Sequence, residues 1–471
     1  MLIFPLAQAL PPALPQNPPQ EIVQTQVVRP LPGQLNQVPV FNSNSPELVQ
    51  TEGILLSTFP PQGKQHPSAH LNFSFNGEFD IFAHHAFRAL APDNLSSLYL
   101  GIIAYNPGDR PVTIETLQAA SYVSQPDAPF IPLPSLLDNL RGTVYAGPGS
   151  RAMSDILRGR RQEFFPPQIV IPPQEYRMVM NLPIPVATLE PPLNGRSTLM
   201  RLRSDGAVYL ASLALLARPS AERPSAEGNT NEPAAERAPE LEEWRSLLEK
   251  GELAGARDRP PSLMDSTLPT NQIVYGRVAG VAQGSRWQAQ VTDDNSTDLS
   301  IPAAGAAFSY GLSTLDRGRL GSGQSQTAAI LVRYPDTAYE AHGNYGIEYD
   351  LSLPLHNPTA QPQTVTLTVQ TPIKEDQLSE NGLRFFDSSP GQSSPTFFRG
   401  TVRFRYADDR GLPQTRYFHL IQRRGQQGEP LVTLTLPPGD RRLVEFTFLY
   451  PPDATPPQVL TIKTLTPLNA P

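Results

Sequence analysis

The sequence predicts an all-β chain built as two tandem β-sandwiches of the immunoglobulin-like kind, and three observations carry that expectation. The first is a repeated plan. Asn106-Pro107, Arg141-Gly142-Thr143-Val144 and Pro172-Pro173 recur in the same order as Asn357-Pro358, Arg399-Gly400-Thr401-Val402 and Pro437-Pro438. The separations drift only from 251 to 265 residues (106 to 357, 141 to 399, 172 to 437). The second is proline, at 54 of 471 residues beside 32 glycines. Proline lacks a backbone donor and clashes with a preceding helical turn, so at this density it disfavours long helices yet suits turns and sheet edges. The third is a series of short apolar runs, many alternating, separated by turn residues, which is the grammar of a sandwich.

Residues 1–50 read as a signal-like segment followed by a Pro-rich extended arm with one apolar patch at 21–28. The first sandwich is expected over 51–217. Residues 53–59 form a strand. The run HLNFSF (70–75), the turn pair Asn76-Gly77 and residues 78–83 predict a hairpin, because Asn-Gly accommodates the positive φ that a tight turn demands. Residues 98–105 and 112–117 predict a second hairpin across NPGDRP, and 169–171 with 176–182 a third across PPQE. Residues 199–202 and 207–216 flank the turn Ser204-Asp205-Gly206. Within 131–165, LPSLLDNL and AMSDILRGRR each predict one or two helical turns.

Residues 218–262 read as a low-complexity linker in which RPSAE occurs twice in tandem. It carries one helix, 239–250 (PELEEWRSLLEK), with Pro near the start, acids in the first turn, Leu241, Trp244 and Leu248 on one face, and Gly251 at the end. So short a helix is marginal alone in water, so its apolar stripe is expected to dock on a sandwich. The second sandwich spans 263–471, with strands at 273–281, 286–291, 299–301, 328–334, 345–355, 365–370, 397–406, 415–422, 432–436, 443–450 and 459–464. The repeated residues have structural uses: Asn-Pro opens a turn, Pro-Pro ends ladder pairing, and Gly beside Arg marks a bulge.

Composition narrows the function classes. The net charge is −7, with arginine and glutamate interspersed, and no basic stripe suits nucleic acid. The absence of cysteine excludes disulfides, thiolate metal sites and cysteine catalysis. No run approaches the ~20 apolar residues of a spanning helix. MLIFPLAQA ends in the cleavage-like Ala7-Gln8-Ala9 but lacks a positive start, so we read it as the tail of a signal peptide whose beginning lies upstream, implying a periplasmic or extracellular protein.

The strings VFNSNSPELVQTEGILLSTFPP, FDIFAHH, VRYPDTAYEAHGNYGIEYDLSLPLHNP, RFRYADDRGLPQTRY and FLYPPDATPPQVLTIKTL resemble a cyanobacterial family of uncharacterised proteins, a domain of unknown function expected to be secreted. The resemblance runs from about residue 30 to the C-terminus. It implies a cell-envelope setting and brings no catalytic residues with it.

Candidate chemistry is sparse. His66, His70, His84 and His85 lie in the first half, with Asp80 nearby, and Glu340 and His342 in the second. A metal needs three or more converging ligands, and adjacent histidines on a strand face opposite ways, so His84 and His85 cannot both ligate. Asp293, Asp294 and Asp298 offer calcium-type oxygens, but the EF-hand spacing fails, and a solvated turn is the plainer reading. Residues 318–323 (GRLGSG) have no phosphate-loop lysine after them. Asp408-Asp409 reads as a turn between strands. Trp287, Tyr310, Tyr339 and Tyr345 are candidates for stacking on sugars, although most aromatics in such a chain are core. Arg423, Arg424, Arg441 and Arg442 are more simply solvated turns than a basic patch. No catalytic, cofactor or metal residue is therefore assigned. The expected function is a secreted, non-enzymatic envelope protein with a structural or adhesive role. The alternatives are a module binding a glycan or envelope polymer, and a polysaccharide hydrolase with two carboxylates about 5–10 Å apart in a cleft. The partner is then an envelope polysaccharide or envelope protein. Limited proteolysis is expected to cut first between residues 226 and 235, and a first cut elsewhere would remove the flexible-linker reading.

Overall fold

The structure, a computed structural model, describes residues 20–91, 94–220, 236–264, 266–269, 272–387 and 394–466. The signal-like segment and most of the RPSAE tandem lie outside them. In chain order the strands are β1 (Glu21–Thr25), β2 (Val27–Arg29), β3 (Pro39–Ser43), β4 (Leu48–Val49), β5 (Gly53–Ser57), β6 (Phe75–Arg88), β7 (Leu98–Tyr105), β8 (Val112–Val123) and β9 (Leu136–Asp138). After helix α1 (Pro148–Leu157) come β10 (Gln168–Ile171), β11 (Tyr176–Ile184), β12 (Leu193–Leu216), β13 (Arg218–Pro219) and β14 (Glu236–Arg237). Helix α2 (Leu241–Lys250) precedes β15 (Ala279–Gln283), β16 (Arg286–Gln290), β17 (Leu299–Ser300), β18 (Ala307–Leu312), β19 (Ala328–Arg333) and β20 (Glu340–Ala341). The last are β21 (Glu348–His356), β22 (Gln363–Gln370), β23 (Gly382–Phe386), β24 (Thr396–Ala407), β25 (Pro413–Arg423), β26 (Val432–Leu436), β27 (Arg441–Leu449) and β28 (Gln458–Thr464). The chain is all-β with short helices, and its several sheets remain open rather than closing into a barrel.

A five-strand arrangement occurs twice. One run is ordered β10-β8-β12-β6-β3 and the other β26-β22-β28-β18-β2. In both, the first three pairings are antiparallel and the last is parallel. The register agrees up to a one-residue slip in the first copy between Arg201 and Leu202: Ile171 pairs with Val112 as Leu436 pairs with Gln363, and Leu202 with Thr116 as Ile462 with Leu367. On the facing sheets, Tyr105 pairs with Tyr176 as His356 pairs with Arg441.

The repeated Asn-Pro and Pro-Pro sit where this arrangement changes sheet. The segments expected to be hairpins are not hairpins. β7 pairs with β11 and β12, whereas β8 pairs with β10 and β12, so the chain arches from one sheet to the other at NPGDRP and again at PPQE. Asn106 lies fully buried between the two arches. Its amide Nδ2 donates to the carbonyls of Arg110 (2.6 Å), Ile171 (3.0 Å) and Pro172 (3.2 Å), and its Oδ1 accepts from the Gly108 N–H (2.9 Å). Asn357, equally buried, donates to Gln361 (2.9 Å), Leu436 (2.9 Å) and Pro437 (3.0 Å) and accepts from Thr359 N–H (3.0 Å).

The Arg-Gly-Thr-Val half of the repeat does not survive. Residues 141–144 form a turn after β9, whereas 399–402 lie inside β24. In the first copy, Asn139 holds the turn by donating to Val144 O (2.8 Å) and accepting from Val144 N (3.0 Å). In the second, the same four residues pair with β25. Nor does Asn76-Gly77 turn the chain. Residues 71–73 bond instead to the carbonyls of 57–59, and β6 runs straight through. The positive φ of Gly77 (75°) sits where the β6–β12 register slips between Ser204 and Val208. Both turn signals are thus used as facing bulges. They let β12 leave β6 and β8 and continue beside β7 and β5. LPSLLDNL contributes the strand β9, not a helical turn, while AMSDIL (152–157) completes α1 and RGRR (158–161) follows it.

Strand pairing crosses the expected 217/263 boundary. β15, β19 and β20 extend the β10-to-β3 sheet, and β9 completes the sheet of β25. The arm crosses too, since β2 pairs with β18 and β3 with β6. The β6–β12–β8 sheet is consequently buried on both faces. Phe79, Ile81, Met200 and Leu202 face one core with β5, β7 and β11. Phe82, Leu199 and Tyr122 face a second core with α1, β21, β24 and β27.

The expected helix docks. α2 begins one residue after Glu240, whose N–H is accepted by Glu243 Oε2 (2.7 Å), and ends where Gly251 N–H meets Leu247 O (2.7 Å). Trp244 and Leu248 are fully buried over β5, β7 and β12. A Cβ on Gly101 would lie 2.7 Å from the Trp244 ring, so β7 needs glycine there. Within the linker, β13 pairs with β14.

Replacing Asn357 or Asn106 by Ala strands two or three buried carbonyls, and each change is expected to cost about 2–3 kcal/mol of unfolding free energy by denaturant titration. The near-isosteric Asn357→Asp is expected to be at least as damaging, because it sets a carboxylate against three carbonyl oxygens. A change below about 0.5 kcal/mol in all three would show that the arches hold without the amide.

Candidate functional site

The histidines proposed for metal work are separated and committed to structural bonds. His84 Nδ1 meets Ser197 Oγ at 2.8 Å, while His85 bonds Ser43 Oγ (2.9 Å) and Pro46 O (2.8 Å) from the opposite face of β6. His70 Nδ1 meets Ser57 Oγ (2.8 Å). Burial lowers all three to about 4, so they are neutral at neutral pH. His66 lies 3.7 Å from Glu252, and Asp80 is buried. Among the described residues no group of three or more His, Asp and Glu converges as a metal site.

The aspartate loop closes on itself. Asp293 accepts from Ser300 N–H (2.8 Å) and meets Arg29 (3.3 Å), and Asp298 pairs with Arg441 (2.9 Å). Asp408 caps the β24–β25 turn by accepting from the N–H groups of Arg410 and Leu412, both at 2.9 Å. Arg441 and Arg442 lie at that end of β24, whereas Arg423 ends β25 opposite Thr396 at the other end of β24 and Arg424 follows it, so they form no common patch. Trp287 is 4 % exposed with its Nε1 on Pro32 O (2.9 Å), and Tyr310 is 2 % exposed. Tyr345 stacks on Tyr450 and meets Phe82 at a tilt.

Tyr339, Glu340 and His342 are different, because they line a cleft of about 320 Å³. Its walls come from residues 261–264, 273–275, 316–319, 325–327 and 339–342. Tyr275 forms the floor. Its hydroxyl donates to Asp316 O (2.7 Å) and accepts from Lys374 Nζ (3.0 Å), and its ring centre is 4.7 Å from that of His342. Burial raises Tyr275 to about 12 and lowers Lys374 to about 8. His342 is held neutral, at about 4, by burial and by the Lys374 charge. Opposite, Thr327 Oγ1 donates to Glu340 Oε2 (2.7 Å), and Arg333 covers one face of Tyr339 at 4.2 Å. Arg319 pairs with Asp316, and Arg317 donates to the carbonyls of Ser266 and Leu268. Leu263 and Met264 form an exposed apolar lip, 69 % and 70 % accessible. Sequence reasoning missed Tyr275, Asp316, Arg319 and Lys374. They arrive from three separate segments, Asp316 and Arg319 sharing one, and no spacing in the chain announces them. GRLGSG, read as a plain loop, supplies Arg319 to the wall.

A second cluster is buried between sheets. Arg201 of β12 pairs with Glu348 of β21 at 2.8 Å, Arg286 reaches the same carboxylate at 3.0 Å, and Asp80 of β6 stands 3.8 Å from Arg201. Glu348 holds the Arg201 charge more closely, so burial prevails at Asp80 and raises it to about 7.

Compared with known families, residues 26–464 match the one described as protein of unknown function DUF3370. No curated protein matches the chain. No helix among the described residues is long and apolar enough to cross a membrane.

The Asp80 shift sets a pH dependence. Its folded value is above the unfolded one, near 3.8, so between about pH 4 and 7 the folded state keeps a proton the unfolded state has lost. Stability from this group therefore falls as pH rises through that window. Asp80→Asn removes the effect, so the variant is expected to gain on the parent by about 1–3 kcal/mol between pH 5 and pH 8. Paired thermal melts at the two pH values measure this, and a pH-independent difference would refute it.

Proposed function

We propose, for a chain that belongs to the DUF3370 family of proteins of unknown function, a non-enzymatic structural or adhesive role in the cell envelope. The observation that carries this reading is continuity. The arm pairs into both five-strand runs, β9 and β15 cross between the halves, and one sheet is buried on both faces. Such a body transmits load through backbone ladders instead of through a hinge. Its titratable side chains also serve it: His84 and His85 tie strands, Asp293 and Asp408 close turns, and Asp453 accepts the Ser150 N–H at the start of α1.

The cleft at Tyr339 favours a second reading, a module that binds a glycan or other envelope polymer. It is a concave site with an apolar lip and convergent polar groups, the usual form of a small-molecule pocket.

Fractionation of the source organism with an antibody to this chain, followed by pull-down on isolated envelope, is the test. Recovery in the envelope fraction with saturable binding to it is expected. Recovery from the cytoplasm would defeat both readings, and turnover of a wall polysaccharide by the purified chain would defeat the non-enzymatic one.

A further inference from the structure

We propose that the Tyr275–Tyr339–His342 cleft binds an uncharged saccharide, about one or two rings of it, a volume at the lower end of the ~300–1,000 Å³ range of ligand sites. The inference deepens the second reading above, whose envelope setting it does not need. The wall decides the ligand's charge. Asp316 and Glu340 face the space, so a phosphate or carboxylate meets like charge. Arg317 and Arg319 face it as well, with Lys374 behind Tyr275, so an amine fares no better. The fixed charges are mostly answered from within, Asp316 by Arg319 and Glu340 by Thr327.

What is left over is a set of donors and acceptors. Arg319 Nε and His342 Nδ1 are buried with no hydrogen-bond partner, and His342 Nδ1 stands 3.9 Å from Glu340 Oε2, too far to bond it. A buried polar atom without a partner is costly; neither atom has accessible surface as the cleft stands, so each meets a ligand hydroxyl through a small turn of its side chain, which recovers that cost. Arg319 Nε can only donate. Neutral His342 donates from one ring nitrogen and accepts at the other. The carboxylate of Glu340 has an oxygen beyond the one held by Thr327. A wall that mixes donors and acceptors without net charge suits hydroxyl groups, each of which is both. The ring of Tyr339, covered on one side by Arg333, and the Leu263–Met264 lip supply apolar surface for the C–H face of a sugar.

The test is saturation-transfer NMR on the purified full chain with glucose, N-acetylglucosamine, maltose and cellobiose, and with glucuronate and glucosamine as charged counter-probes. Transfer to at least one neutral sugar is expected, with about tenfold weaker binding in Tyr339→Ala and Glu340→Gln at unchanged melting temperature. Ser325→Trp, at an exposed position on the rim, is expected to block the cleft without touching its floor. Transfer only to the charged probes, to none of the six, or equally in the parent and in Ser325→Trp would overturn the proposal. Because the readout uses purified protein, its failure is distinct from failure of the envelope location.

Discussion

Two buried asparagine amides govern the shape of this molecule. Each stands where four strands change sheet, and each answers carbonyls from two separate arches that no ladder can reach. An amide suits this because it donates twice and accepts on the same rigid plane. A hydroxyl cannot span both arches, and a carboxylate has no donor. The flanking prolines fit the same requirement, since a chain leaving one sheet for another must stop offering N–H groups to its old neighbour. The positive φ at the second arch is met by Gly439 in one copy and by Gln174 in the other. Gln174 tolerates it while accepting from Tyr105 Oη (2.5 Å) and donating to Gly108 O (3.1 Å).

With the arches fixed, β6, β8 and β12 are left apolar on both faces, and the second face must be covered. The rest of the chain does so. α1 lies between this sheet and β24 and β27, and its start is held by Asp453 from the far end of the sequence. The cover is not wholly apolar, because alternation puts Asp80, His84 and Arg201 on the same side as Phe82 and Leu199. Burying them requires partners, which explains Glu348 opposite Arg201 and the neutral His84 on Ser197. A buried pair of this kind is weak evidence for stability but fixes how the sheets sit against each other.

Much of this was legible in the sequence. Period-two runs located most strands of the second half, and the stripe Leu241, Trp244, Leu248 located α2 and its docking. The Asn-Pro and Pro-Pro repeats marked equivalent positions. Their three-dimensional use was hidden, because an arch and a hairpin carry the same turn residues and differ only in which strands then pair. Asn76-Gly77 shows the limit well: its positive φ was real, but a long strand opposite it made a bulge cheaper than a reversal. Arg-Gly-Thr-Val misled for another reason. Four residues can be alike in sequence while their surroundings differ, and in one copy Asn139 draws them into a turn. In the cleft, Tyr339, Glu340 and His342 were noticed for their chemistry, whereas Lys374 and Asp316 had nothing to distinguish them from other loop residues.

The two copies also separate what holds the fold from what is free to vary. In the first copy the chain passes from β6 to β7 through residues 89–97 alone. In the second, the corresponding passage from β18 to β21 runs through residues 313–347 and carries β19 and β20. Asp316, Arg319, Ser325, Thr327, Tyr339, Glu340 and His342 all belong to that longer passage. The cleft is therefore built on the part of the second copy that the first lacks, and it is anchored where β19 joins β15 at the edge of the first sheet. Part of this passage is core, with Tyr334, Ala338, Ala341 and Ile347 buried, but the side chains that line the cleft bear no arch and are released from the constraints that fix the asparagines. That is where unpartnered donors, an exposed lip and a concave wall can persist without unravelling the sheets beneath them.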